Sequence, residues 1–364
     1  MNTKIISTYG LTFELHDLVD TILSLKDTRL IVFCPQEHTP VSTSSIPVIS
    51  QQMCTEMCER TRTHMTNNGV TSELVVGRSH MPEVPDIKFK DAQPVRWSRI
   101  FPLLFTKIHY LNDWWFKQST CIYAGTHQGK YQFPLEYDTL DHLCCQRSSL
   151  PHYHRALMMD KLAKYNLINP TFSWRHRSNT HNNHFDFQHW QEELMCVNEI
   201  PIREDVEDHS IYTVMHQGTM NSLIEVVAES TTSCVFWTEK TTKWLLYGKA
   251  FIILGSPEIN IQLRSLGFQL YDELFDYEFD YDTDLHNRAE AIASQLALLD
   301  QKYNTPELRK QLLGQIMPKI IHNYNQLLAI VNQDYPEELN PALDTIEFRE
   351  SLAWVREVIK PVQQ

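Results

Sequence analysis

Thr238-Glu239-Lys240 is the part of this chain whose residue types and spacing most directly suggest chemistry. A threonine that caps a helix leaves the next two residues in the first turn, beside backbone N–H groups that have no partner within the helix. An acidic Glu239 there is ordinary, because it complements the helix dipole. Lys240 is less so. An ammonium beside unpaired N–H groups makes an anion site suited to a diphosphate, and a neighbouring carboxylate can hold ribose hydroxyls. Glu229 ends an apolar run nine residues earlier, where α/β sheets place ligand contacts. The same pattern also fits a capped surface helix whose charges are solvated.

Other groups have metal-like or stacking spacing. Asp280, Asp282 and Asp284 form a D-x-D-x-D run, but it follows a polar, Tyr-rich stretch rather than a buried strand and reads as a solvated acidic loop. His176, His181, His184 and His189, with His152 and His154 upstream, include zinc-like spacings. No cysteine pair accompanies them, so no metal is assigned. Trp97, Phe101, Phe105, Tyr110, Trp114, Trp115 and Phe116 could form a platform for a sugar or base face, or simply a core.

The elements that must position these groups follow from periodicity. Up to about residue 140, strand-like runs ("KIISTYG", "RLIVFCP", "SELVVG") alternate with helical stretches ("ELHDLVDTILSL", "QQMCTEMCERTRTHMTNN"), the pattern of βαβ units with a mainly parallel sheet. "HYHRALMMDKLAKYNLI" has helical spacing, and "NSLIEVVAES" reads as a strand. Thr238 then caps a helix that Gly248 stops, "AFIILG" is a buried strand, and "GSPEINIQLRSLGF" is a turn, a Pro-started helix and a Gly267 stop. After residue 286 the apolar stripes are helical, with Thr305-Pro306-Glu307 as a helix start.

At 364 residues, two domains are expected. The apolar fraction of 42% suffices for packed interiors, and a net charge of −13 disfavours general electrostatic binding of nucleic acid. The first residues lack a signal-peptide h-region and no run reaches roughly 18 apolar residues, so a cytoplasmic chain with no membrane span is expected. The eight cysteines show no CxxC pair and read as reduced thiols.

The order "SLIEVVAESTTSCVFWTEKTTKWLLYGKAFIILGSP" resembles the nucleotide-sugar-binding half of the α1,3-fucosyltransferases, in which a strand ending in Phe-Glu-Asn precedes Tyr-Val-Thr-Glu-Lys, a helix, a second strand and a Gly-Ser turn. The counterparts here are Ala228-Glu229-Ser230, Phe236-Trp237-Thr238-Glu239-Lys240 and Gly255-Ser256, and the resemblance covers roughly residues 150 to 285. It implies two facing Rossmann-like domains, the GT-B arrangement, with an acceptor-side domain at 1–150, a donor-binding domain at 151–286 and a helical segment at 287–364. It also implies an inverting transfer from a nucleotide sugar, GDP-fucose being the family's donor, without an obligate cofactor or metal. Lys240 would neutralise the diphosphate, and Glu239 would bind ribose. Arg175 and Arg177, then Arg155, are the candidates for the arginine that grips phosphate.

The chemistry is consistent. Departure of a nucleoside diphosphate develops negative charge that fixed cations stabilise, while a carboxylate takes the proton of the acceptor hydroxyl. The family's segment presenting that base has no counterpart here; Glu37 and Asp113 stand as candidates. The acceptor would be a glycan hydroxyl, or else a modified nucleobase in DNA. A non-catalytic protein that keeps the fold for binding is the rival reading.

Overall fold

The computed structural model describes residues 2–7, 13–34, 41–42, 51–76, 103–110, 116–117, 120, 137, 139–148, 152–174, 194, 220–230, 232, 235–333, 352–353, 355–357 and 360–362. The chain is mixed α/β. It divides into two compact units, one of residues 1–115 with 334–349 and the other of 116–333 with 350–364.

The first unit is built on a parallel sheet of β1 (Asn2–Ser7), β3 (Thr28–Cys34), β5 (Thr71–Val76) and β6 (Lys107–Tyr110), in that spatial order. Two two-residue strands, β2 (Phe13–Glu14) and β4 (Val41–Ser42), pair separately. Helix α1 (Leu15–Leu23) returns the chain from β1 to β3, α2 (Gln51–Asn67) returns it from β3 to β5, and the two helices pack on each other. This is the βαβ alternation expected from the sequence. Its core is the apolar runs themselves: Leu30, Ile31, Leu74 and Val75 in the strands, Leu18 and Ile22 in α1, all fully buried.

The second unit has a three-stranded parallel sheet in the order β11 (Ala250–Leu254), β10 (Ser222–Ala228), β7 (His142–Cys145), with β8 (Arg147–Ser148) and β9 (Ser173–Trp174) paired beside it. Every residue of β10 and β11 is buried, which is why both read as continuous apolar runs. Helix α3 (Tyr153–Lys164) packs on β10 and on α5 (Leu285–Lys302). Helix α4 (Glu239–Tyr247) packs on β10 and β11 and is backed by α6 (Pro306–Asn332). β7 bonds to β10, so this unit takes in strand residues that lie ahead of the boundary placed at residue 150.

Beneath the sheet surface runs a sealed polar chain. Lys249 Nζ donates to Ser222 Oγ at 2.8 Å, Ser222 Oγ to Cys145 Sγ at 3.0 Å, and Cys145 Sγ to Glu225 Oε2 at 2.7 Å. All four residues are at most 2% exposed. Each donor points the same way, so an ammonium and a carboxylate are joined through a hydroxyl and a thiol and none of these groups lacks a partner. Burial pushes the Cys145 thiol up to about 12, which makes it a packing and hydrogen-bonding group rather than a nucleophile.

Two local expectations need correction. "GSPEINIQLRSLGF" forms no Pro-started α-helix; Glu258 turns the chain at φ 65° and a 3₁₀ helix follows at Ile261–Leu266. The cause is Asp280. Its carboxylate accepts from the backbone N–H of Asn260 (2.8 Å) and Ile261 (2.9 Å), while the Asn260 side chain bonds both the N–H and the C=O of Ile253. Asp280 is 1% exposed, so it is no solvated loop residue. Asp282 and Asp284 do lie at the surface, and Asp284 caps α5.

Candidate functional site

The C-terminal edge of the β11-β10-β7 sheet gathers the chemistry-bearing side chains of the second unit. β10 delivers Glu229 and Ser230 there, and the turn after β11 delivers Gly255 and Ser256; the Glu229 N–H continues the ladder to Leu254 O at 3.0 Å. Helix α4 begins at the same edge. Thr238 has extended backbone and its Oγ1 accepts from the Lys240 N–H at 3.2 Å, the capping inferred from sequence. Gly248 ends α4 at φ 69°, a left-handed conformation that glycine takes without steric cost.

Glu229 has a task the sequence did not suggest. Its carboxylate is fully buried, and each oxygen accepts one backbone N–H and one hydroxyl. Oε1 takes Thr238 N (3.0 Å) and Thr241 Oγ1 (2.5 Å); Oε2 takes Ser230 N (3.1 Å) and Thr238 Oγ1 (2.6 Å). Four donors occupy the group, so Glu229 is a bracket that ties the strand end to the start of α4 rather than a ligand contact. Burial raises its pKa, opposed by Lys240 and the Thr238 bonds.

Bracketing Glu229 leaves Lys240 and Glu239 at the rim. Lys240 Nζ donates to Glu239 Oε1 at 2.6 Å and to Ser230 Oγ at 2.9 Å, with side-chain exposures of 24% for Lys240 and 13% for Glu239. The ammonium is therefore held in place by its neighbours yet still reachable from solvent.

Helix α3 brings His152, His154 and Arg155 to the same edge. His154 Nε2 lies 2.6 Å from Glu229 O; a carbonyl only accepts, so this nitrogen carries the proton. His152, at the N-cap position, stacks on His154 with ring centroids 5.8 Å apart. Burial draws His152 down to about 4, with Arg155 and Lys240 adding to the effect. His154 falls to about 3, from burial first and then Arg155. Both rings are neutral at pH 7, and the charges acting on both from nearby side chains are cationic. Tyr153 Oη lies 2.8 Å from His286 Nε2, which ties the first turn of α5 to that of α3.

Of the candidates read from sequence, the structure gathers Arg155, Glu229, Thr238, Glu239, Lys240, Gly255 and Ser256 along this edge. Gly255 O accepts from Arg288 Nη2 at 2.8 Å, and Ser256 is 2% exposed. Glu37, Asp113, Arg175, Arg177 and the histidines from His176 to His189 lie outside the described residues. Phe105 and Phe116 are core: Phe116 is fully buried against Trp237 and Phe268. His152 and His154 drew attention only through zinc-like spacing. Their better signal was position, a His-x-His-Arg run starting a helix shortly after a parallel strand.

Among the described residues no group of His, Cys, Asp and Glu is arranged to hold a metal ion, and no helix is long and apolar enough to cross a membrane. The chain matches no protein-family model, no curated protein and no solved structure.

Proposed function

We propose that the chain is an inverting glycosyltransferase that takes a sugar from a nucleotide-sugar donor, GDP-fucose by resemblance, to a glycan hydroxyl. One observation carries the reading: Lys240 is fixed at the C-terminal edge of a parallel sheet, at a helix N-terminus, with Arg155 acting on the same pair of histidines. That combination suits a diphosphate.

In this reading the second unit holds the donor, the first is the acceptor side of a GT-B pair, and no metal or other cofactor is obligatory. As the bond from the sugar carbon to the phosphate oxygen breaks, its electron pair stays on that oxygen. Lys240, Arg155 and the N-terminal end of the α4 dipole stabilise the charge. Glu239 exchanges its bond to Lys240 for ribose hydroxyls. The acceptor oxygen attacks the face opposite the leaving group and loses its proton to a carboxylate, for which Glu37 and Asp113 are the candidates.

A thermal-shift panel against GDP, UDP, CDP, TDP and their sugars tests this, since a ligand held only by the folded state adds about 2.7 kcal/mol at a hundredfold excess over Kd. A selective shift with one nucleotide is expected, reduced strongly by Lys240→Ala. No shift with any nucleotide refutes the donor-site reading. Sugar transfer to a modified-base DNA instead of glycan would change the acceptor and keep the site.

A further inference from the structure

The bonds of Lys240 leave its charge one step away from a ligand. Nζ donates to Glu239 Oε1 at 2.6 Å, to Ser230 Oγ at 2.9 Å and to Thr238 Oγ1 at 3.4 Å. An ammonium has three N–H groups and no lone pair, so these contacts use all its donors. Ser230 is placed differently. Its backbone N–H is committed to Glu229 Oε2 at 3.1 Å, but its hydroxyl is engaged only as an acceptor, from Lys240. Lys240 can only donate, so the Ser230 O–H proton turns away from Nζ, and among the described residues no acceptor takes it. The residue is half-buried, with its backbone pinned by Glu229 and its Oγ pinned by Lys240.

We propose that Ser230 is the direct hydrogen-bond donor to the ligand's phosphate, and that Lys240 acts on that phosphate through the Ser230 hydroxyl. This rests on the anion-site reading above. A hydroxyl that accepts from an ammonium is polarised, which makes its own O–H a stronger donor. A charged phosphate oxygen is the acceptor that gains most from it. Direct contact by Lys240 requires one of its three bonds to be given up, whereas the Ser230 O–H is available as it stands. The exchange of Glu239 onto ribose leaves the Lys240–Ser230 bond in place, so the two steps are compatible. As the departing phosphate gains charge, the run from Lys240 Nζ–H through Ser230 O–H to the phosphate oxygen strengthens, and no proton changes hands.

The test is titration calorimetry of the full-length protein with inorganic pyrophosphate and with GDP. Pyrophosphate has no ribose to draw Glu239 from Lys240, so it reads the hydroxyl most directly. Ser230→Ala removes Oγ and keeps the N–H that Glu229 holds. It also returns one N–H to Lys240, so the two contacts differ in the sign of the effect. If Ser230 touches the phosphate, affinity for both probes falls about tenfold or more in S230A. If Lys240 touches it instead, S230A binds as tightly as wild type or tighter. Ser230→Thr keeps the hydroxyl and is expected to hold near wild-type affinity. Should S230A fail to fold, Ser230→Cys offers a group of similar size whose S–H is a weak donor, and the same loss is expected. Undiminished binding by the Ala or Cys variant overturns the role of Ser230 and leaves the donor-site reading standing. A loss in Ser230→Thr equal to that in Ser230→Ala also overturns it, because the hydroxyl is then not what the ligand meets. Failure of wild type to bind either probe overturns it together with the donor-site reading.

Discussion

Replacing Glu229 by glutamine keeps the size of the side chain and removes one acceptor edge, and the structure fixes what that removal costs. Each carboxylate oxygen accepts one backbone N–H and one hydroxyl. Hydroxyls of Thr238 and Thr241 can rotate to accept instead of donate, whereas the N–H groups of Thr238 and Ser230 cannot. Whichever way the new amide is turned, its NH₂ faces one of those two N–H groups. Glu229→Gln should therefore leave one backbone donor without its acceptor and cost about 1–3 kcal/mol. Glu229→Ala strands both, so its loss should be about twice as large. Burial of the charge works in the other direction, raising the pKa of Glu229, and glutamine is spared that cost. The expected loss for Glu229→Gln thus sits toward the lower end of its range, and the alanine variant separates the two effects. Urea unfolding followed by tryptophan fluorescence reads this out through Trp237 and Trp244, both of which lie in this region and are at most 5% exposed. If glutamine is tolerated without loss and alanine costs no more than glutamine, the bracket does not organise the start of α4 and the argument for a pre-positioned Lys240 falls with it.

Three further expectations concern the same unit. Lys249→Met removes the ammonium that donates to Ser222 Oγ and offsets the buried Glu225 carboxylate; it should cost about 3–5 kcal/mol, and adding Glu225→Gln should recover much of that. A double-mutant cycle in urea with no coupling would refute the chain of donors. His154 is held near 3 in the fold and titrates at its ordinary value when unfolded, so its contribution to stability is complete above pH 6.5 and is lost as pH falls toward 3, at up to about 1.4 kcal/mol per pH unit. His154→Gln should flatten that slope relative to wild type; parallel curves between pH 7 and 4 would refute it. In Gly255→Ala the new Cβ would lie 2.6 Å from Ile259 Cδ1 and 3.7 Å from Glu229 Cβ, so a loss of about 1–3 kcal/mol is expected. Ile259→Val removes the clashing atom, and the double variant should be more stable than the two single losses add up to; strict additivity would place the strain elsewhere.

The sequence by itself determined what depends on a few consecutive residues. Capping by Thr238 and Thr305, and the glycine stops at Gly248 (φ 69°) and Gly267 (φ 86°), follow from one side-chain oxygen or one absent Cβ acting on the adjacent turn. Strands β1, β3 and β5 and helices α1 and α2 of the first unit were equally legible, because period and apolar content report burial on one face or both, whereas the short β2, β4 and β6 carry too few residues to show a period. Only the tertiary structure decided which of these features share a site. β7 and β10 are neighbours although Cys145 and Glu225 lie far apart along the chain, and that pairing is what carries His152 and Arg155 to the edge where Lys240 stands. It also decided the sense of individual carboxylates. Glu229 and Asp280 looked like a ligand contact and a solvated loop residue, yet both are buried acceptors for backbone N–H groups, since a turn packed against a sheet must satisfy donors that no local sequence pattern announces.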